Sequence, residues 1–237
     1  PEYPAKFFDK VNNRLIGSEN VITQTVLRGF NTFIIKTPKV IEAARRHFNC
    51  DTLEGMGLEN QGGEGSLGAH WERTSLHNEI MTASDIRESV FSEFTAAILE
   101  DSGWYTIDQT RTEKFYWGKG KGCEFISKAC LSTLKFDEFC QEKAKPLCSY
   151  DYRGKGYCNP EAFSDNCKFS EIYWNGDCKI AKYADFKKGY TLGEIFGQES
   201  QCVNSTIYNN NFKVFQANDV SDTSRCYKYK CGTNIVT

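Results

Sequence analysis

The chain has 237 residues, 40% of them hydrophobic and 14% aromatic, with 29 Lys and Arg set against 31 Asp and Glu. That is enough for one large domain or two modest ones with a packed core. The near-neutral, interspersed charge excludes electrostatically driven binding to nucleic acid or an anionic membrane, and the longest apolar runs, Phe33-Ile34-Ile35 and Ala96-Ala97-Ile98-Leu99, fall far short of the roughly 20 residues that span a bilayer.

In chain order, Thr32-Phe33-Ile34-Ile35 reads as a short strand. Thr37-Pro38 then supplies a helix start, with a hydroxyl at the N-cap and Pro at N1. Val40, Ile41, Ala44 and Phe48 recur at helical spacing, and Arg45, Arg46 and His47 fall where the helix dipole favours cations, so a helix is predicted over 38–48. Gly57, Gly62, Gly63, Gly65 and Gly68 mark a loop able to adopt positive φ and approach a neighbour closely. His70 follows it directly, and Glu79-Ile80-Met81-Thr82-Ala83 reads as a segment turning beneath a site. Val90, Phe94, Ala97 and Ile98 predict a second helix from about Ser89 to Asp101, stopped by Ser102-Gly103. Phe136 to Lys145 could form a short amphipathic helix in a region otherwise made of short strands, turns and loops.

Character changes near residue 105. Ten of the eleven cysteines lie between Cys123 and Cys231, with no CxxC anywhere. Such spacing argues against a zinc ribbon or thioredoxin-type site and for a disulfide framework made in an oxidising compartment. Disulfides at about 2–4 kcal/mol each would then supply much of the stability of an aliphatic-poor region. The odd count leaves one cysteine free or parted from its partner. Asn204-Ser205-Thr206 is a glycosylation sequon, which agrees with an extracellular or cell-surface location. The division predicted is residues 1–105 and 106–237, in an α+β fold.

On spacing alone, the three histidines, His47, His70 and His77, do not make a metal site. No i, i+4 pair exists, there is no HExxH, and a lone histidine in a glycine-rich loop is usually a solvent-facing or hydrogen-bonded residue. Glu59, Glu64, Glu72 and Glu79 lie near His70, but their spacing singles out no acid or base. GxSxG, P-loop and GxGxxG motifs are absent, and Cys50 is a poor candidate for a free nucleophile.

Five segments together say more. Lys36-Thr37-Pro38 through His47-Phe48-Asn49-Cys50, Leu58-Glu59-Asn60-Gln61-Gly62-Gly63 followed by Gly68-Ala69-His70-Trp71-Glu72-Arg73, Asn78-Glu79-Ile80-Met81-Thr82, Leu99 to Tyr105, and Trp117-Gly118-Lys119-Gly120-Lys121-Gly122-Cys123 resemble the leishmanolysin family of zinc metalloendopeptidases, in family order. The cysteine-rich remainder resembles the family's C-terminal domain less specifically.

That resemblance implies the C-terminal lobe of a metzincin-like peptidase domain over 1–105 and a cysteine-rich domain over 106–237. His70 would be the third zinc ligand and Met81 the Met-turn methionine, a soft apolar floor rather than a ligand. His47 and His77 match no ligand position. Pro1 to Gly17 resembles the stretch after the HExxH helix, so the general-base Glu and two His ligands are expected outside this chain, on the parent protein or a separate N-terminal fragment. No catalytic residue is therefore expected within it. The resemblance also implies pairing of Cys50 with Cys123, Cys130 with Cys167, Cys140 with Cys158, Cys148 with Cys202, and Cys178 with Cys226, leaving Cys231 unpaired.

The expected function is the C-terminal portion of a secreted or surface endopeptidase that hydrolyses a polypeptide substrate with metal-activated water, inactive as this piece alone. The alternative is a non-catalytic surface adhesion or structural module with the same fold.

Overall fold

The computed structural model describes residues 7–84, 86, 89–130, 136–141, 146–187, 194–204 and 224–230. The fold is α+β, and the chain divides into two compact units: residues 1–136 with 162–167, and residues 137–161 with 168–237.

The first unit opens with a hairpin of β1 (Phe7–Asp9) and β2 (Arg14–Ile16). β3 (Ile22–Leu27) and β4 (Phe30–Ile35) form a longer antiparallel hairpin, and β5 (Met56–Gly57) adds to the β4 edge. The strand expected at 32–35 therefore begins two residues earlier, at the turn. α1 (Pro38–Phe48) has the predicted limits. Thr37 stands at its N-cap, but its hydroxyl makes no capping bond. The first-turn amides of Lys39 and Val40 instead donate to Asp101 Oδ2, at 2.8 and 3.2 Å. Asp101 is the last residue of α3 (Glu93–Asp101), so a carboxylate at the end of one helix satisfies the open amides at the start of another.

α3 starts four residues later than its apolar spacing predicts. Ser92 is its N-cap, accepting from the Phe94 amide at 3.2 Å. Residues just before it are engaged elsewhere, with the Val90 amide donating to Asn78 O and the Glu113 amide to Phe91 O. α1 and α3 pack through Val40, Ala43, Ala44 and Phe48 against Phe94 and Ala97. Phe115, Trp117 and Phe125 join that core: the Phe48 ring lies 6.0 Å from Phe94 and 5.9 Å from Phe125. Hence residues 106–136 fold with the first unit. The same unit holds the short helices α2 (Arg73–Leu76) and α4 (Cys123–Ser127). Two disulfides close it, Cys50–Cys123 and Cys130–Cys167.

In the second unit, β6 (Leu147–Cys148), β7 (Gly154–Pro160) and β8 (Lys168–Asp177) form an antiparallel sheet, and β9 (Ser200–Asn204) pairs with β10 (Ser224–Lys228). Gly156 has no room for a side chain, since a Cβ would stand 2.1 Å from the Glu171 carbonyl oxygen across the β7–β8 ladder. Cystines replace aliphatic mass here: Cys140–Cys158, Cys148–Cys202 and Cys178–Cys226, with Tyr183 and Phe196 packed around the last two. Lys155 and Glu194 form a buried ion pair at 2.7 Å.

The helix expected over Phe136–Lys145 is not formed at its described residues 136–141. The Cys140 amide donates to Lys168 O at 3.0 Å, a pairing incompatible with helical bonding there. Residues 142–145 and Cys231 lie outside the described residues.

Candidate functional site

The glycine-rich loop returns on itself. The Gly68 amide donates to Glu59 O and the Glu59 amide to His70 O, both at 2.8 Å. Gly62 (φ +81°) makes the bend possible, and a Cβ there would also stand 2.6 Å from the Phe163 ring. Beyond the loop, Trp71 bridges Leu58 on one side and Thr82 on the other, and its amide donates to Met81 O at 2.9 Å. His70 is thus delivered by a short extended segment, with the β5 side on one flank and the Met81 turn on the other. Its imidazole is half-buried, with Nδ1 3.5 Å from Ser66 O. Met81 is 37% exposed.

Below this surface the polar groups are buried and engaged. The Trp71 indole N–H donates to Thr95 Oγ1 at 3.0 Å. Glu79, 1% exposed, accepts from Thr95 Oγ1 at 2.5 Å, Ser92 Oγ at 2.8 Å and the Ser92 amide at 3.3 Å, all on Oε1. Its Oε2 accepts from the Met81 amide at 2.6 Å. Burial raises the Glu79 pKa, and these hydrogen bonds oppose the rise.

The glutamates near His70 are therefore not alike. Glu64 is exposed, whereas Glu59, Glu72 and Glu79 are buried. Glu72 caps α2, accepting from the Thr74 amide at 3.1 Å and from Asn60 Nδ2 at 2.8 Å. Burial, with Asp165 and Glu59 nearby, pushes its pKa to about 8; Glu59 is pushed to about 7, chiefly by burial. Spacing along the chain carries no trace of this division, because the partners, Ser92, Thr95 and Asp165, are far off in sequence.

The other two histidines are packed into the interior. His47 Nε2 lies 2.8 Å from Trp117 O, and His77 stacks on the Trp117 ring at 4.3 Å. Burial, with Arg73 nearby, lowers the His77 pKa to about 3. Among the described residues, no three His, Cys, Asp or Glu side chains form a group able to hold a metal ion. In His70, Nδ1 faces a backbone carbonyl, which leaves Nε2 as the ring nitrogen that could hold a metal.

Residues 5–161 match the family model described as Leishmanolysin. The chain is similar to the leishmanolysin-like peptidase of Caenorhabditis elegans, with 48% identity over 113 residues, which is 48% of this chain and 17% of that protein. It is similar to the ciliated left-right organizer metallopeptidase of Danio rerio, with 33% identity over 201 residues, 82% of this chain and 31% of the relative. Leishmanolysin of Leishmania chagasi matches with 29% identity over 203 residues, 84% of this chain and 33% of the relative. The chain thus spans well under half the length of the relatives it matches.

Proposed function

Because this chain belongs to the leishmanolysin family of metallopeptidases, we propose that it supplies one arm of a zinc endopeptidase site, with His70 as the third metal ligand and Met81 as the methionine beneath it. The observation that carries this reading is the bond from the Trp71 amide to Met81 O at 2.9 Å, which ties the residue after His70 to the turn that presents the methionine. Ser66 O orients the imidazole, and Glu59 and Trp71 hold its backbone on both sides.

When bound, zinc supplies a polarised water and a Lewis acid for the scissile carbonyl. The groups of this chain do the placing: His70 offers a nitrogen, Met81 an apolar surface, and the loop 58–69 a wall. A HExxH segment elsewhere in the protein, or on a partner fragment, would bring the remaining ligands and the general base. The substrate is a polypeptide, and the chain by itself is inactive. Five disulfides and the exposed Asn204 sequon position support a secreted or cell-surface setting, with glycan on Asn204.

The test is His70→Ala in the full-length protein. Loss of bound zinc together with loss of casein hydrolysis is the expected result. Retention of stoichiometric zinc would overturn the assignment of His70. Full-length wild-type protein with neither zinc nor activity would favour the adhesion or structural module instead.

A further inference from the structure

We propose that Glu79 is the positioning residue of this site: its buried carboxylate pins the Met81 turn to Trp71 and to the start of α3, and so fixes where His70 stands. The proposal rests on His70 being a metal ligand.

Hydrogen-bond direction sets what position 79 must do. An indole N–H can only donate, so Thr95 Oγ1 accepts from Trp71 and its single hydrogen is left for Glu79. Ser92 Oγ accepts from the Phe94 amide as the α3 cap, so its hydrogen also goes to Glu79. The Ser92 and Met81 amides can only donate. Four donors therefore converge on one side chain that is 1% exposed, and position 79 must accept at both oxygens. Glutamine has the same shape but brings an NH₂ group, which would face a donor at one of the two ends.

The network has three outlets. One is the Met81 amide, another the α3 N-terminus, and the third, through Thr95, is the Trp71 ring. Trp71 is itself bonded to Met81 O and is the neighbour of His70. His70 and Met81 are thus registered to each other by two routes, the backbone bond from Trp71 and the side-chain path Trp71–Thr95–Glu79–Met81. Being enclosed, with both oxygens occupied, the Glu79 carboxylate acts through these neighbours rather than on a substrate.

The experiment uses full-length zinc-loaded protein and compares Glu79→Gln, Ser92→Ala and Thr95→Val. Zinc affinity is read by competition with a chromogenic chelator, and folding by thermal denaturation. Glu79→Gln should weaken zinc binding about 10- to 100-fold, the usual cost of removing an outer support from a metal ligand, and lower kcat more than it changes KM. Ser92→Ala removes one donor but leaves the Met81 amide bonded; it should lower the melting temperature with no measurable change in zinc affinity. Thr95→Val cuts the path to Trp71 and should weaken zinc binding even if Glu79→Gln does not fold. Unchanged zinc affinity in folded Thr95→Val, or zinc loss in all three variants in simple proportion to lost stability, overturns the proposal. If His70→Ala also binds zinc normally, it is the ligand assignment that has failed.

Discussion

The His77 imidazole lies against the Trp117 indole with centroids 4.3 Å apart and 24° between the ring planes, and the indole N–H donates to Thr74 O at 3.0 Å. The stack is enclosed, with Trp117 fully buried and His77 7% exposed. A cationic imidazole would have to form there away from water and beside Arg73, which is why its pKa falls from 6.5 to about 3. A base whose folded pKa is depressed contributes stability above its unfolded value and loses it as pH falls. Urea midpoints should therefore drop between pH 6.5 and pH 3, and His77→Phe should flatten that limb. An equally steep acid limb in the variant would remove His77 as its cause.

Glu59 and Glu72 act in the opposite direction. Their folded pKa values, about 7 and about 8, exceed the ordinary 4.5. Their contribution is complete below pH 4.5 and is lost as pH rises through 7 and 8. Glu72→Gln keeps an acceptor for the Thr74 amide and removes the buried charge, but sets its NH₂ against the Asn60 donors at the other end, a cost that does not vary with pH. Relative to wild type, the variant should therefore fare better at pH 8.5 than at pH 5. A stability difference that is the same at both pH values would show that Glu72 does not titrate between them.

The Cys50–Cys123 disulfide spans 73 residues and joins the end of α1 to the first residue of α4. Replacing both cysteines with alanine should cost about 2–4 kcal/mol in denaturant unfolding. A smaller loss would mean that the Phe48–Phe125 contact already holds these two ends together.

Phe94 is fully buried, with Phe48, His47 and Phe115 around it at 6.0, 5.3 and 6.1 Å. Phe94→Ala should destabilise the first unit by about 3–5 kcal/mol. A loss under 1 kcal/mol would mean that the neighbouring rings collapse into the space.

Local signals in the chain were legible where local physics decides. Pro at N1 and the apolar spacing of Val40, Ala44 and Phe48 give α1 its limits. What caps that helix is not legible, since Asp101 is more than sixty residues from Lys39. The same holds for α3, where apolar spacing extends to residue 90 but tertiary pairing of Val90 and Phe91 delays the start until Ser92 can cap it. At the candidate site, the family resemblance drew attention to His70 and Met81. It gave no role to Glu79, which lies in one of the matching segments but whose donors come from Ser92, Thr95 and the Met81 amide. At the described residues 136–141 of the amphipathic stretch, a strand-like bond from Cys140 to Lys168 outweighs weak helical periodicity.

The β3–β4 turn is made by Arg28 (φ +53°) and Gly29 (φ +90°). An arginine is a poor occupant of a left-handed position, where Asn or Asp is usual. Its side chain is otherwise engaged: Nη1 and Nη2 donate to Ile126 O and Phe125 O at 3.0 and 2.5 Å, and its amide donates to Ser127 O at 3.2 Å. Three terminal carbonyls of α4 are thus closed by one residue of a distant hairpin. Hairpin tips are ordinarily where a fold accepts extra residues or a tag. This tip is a joint rather than a margin, and lengthening it would uncap a helix about a hundred residues away.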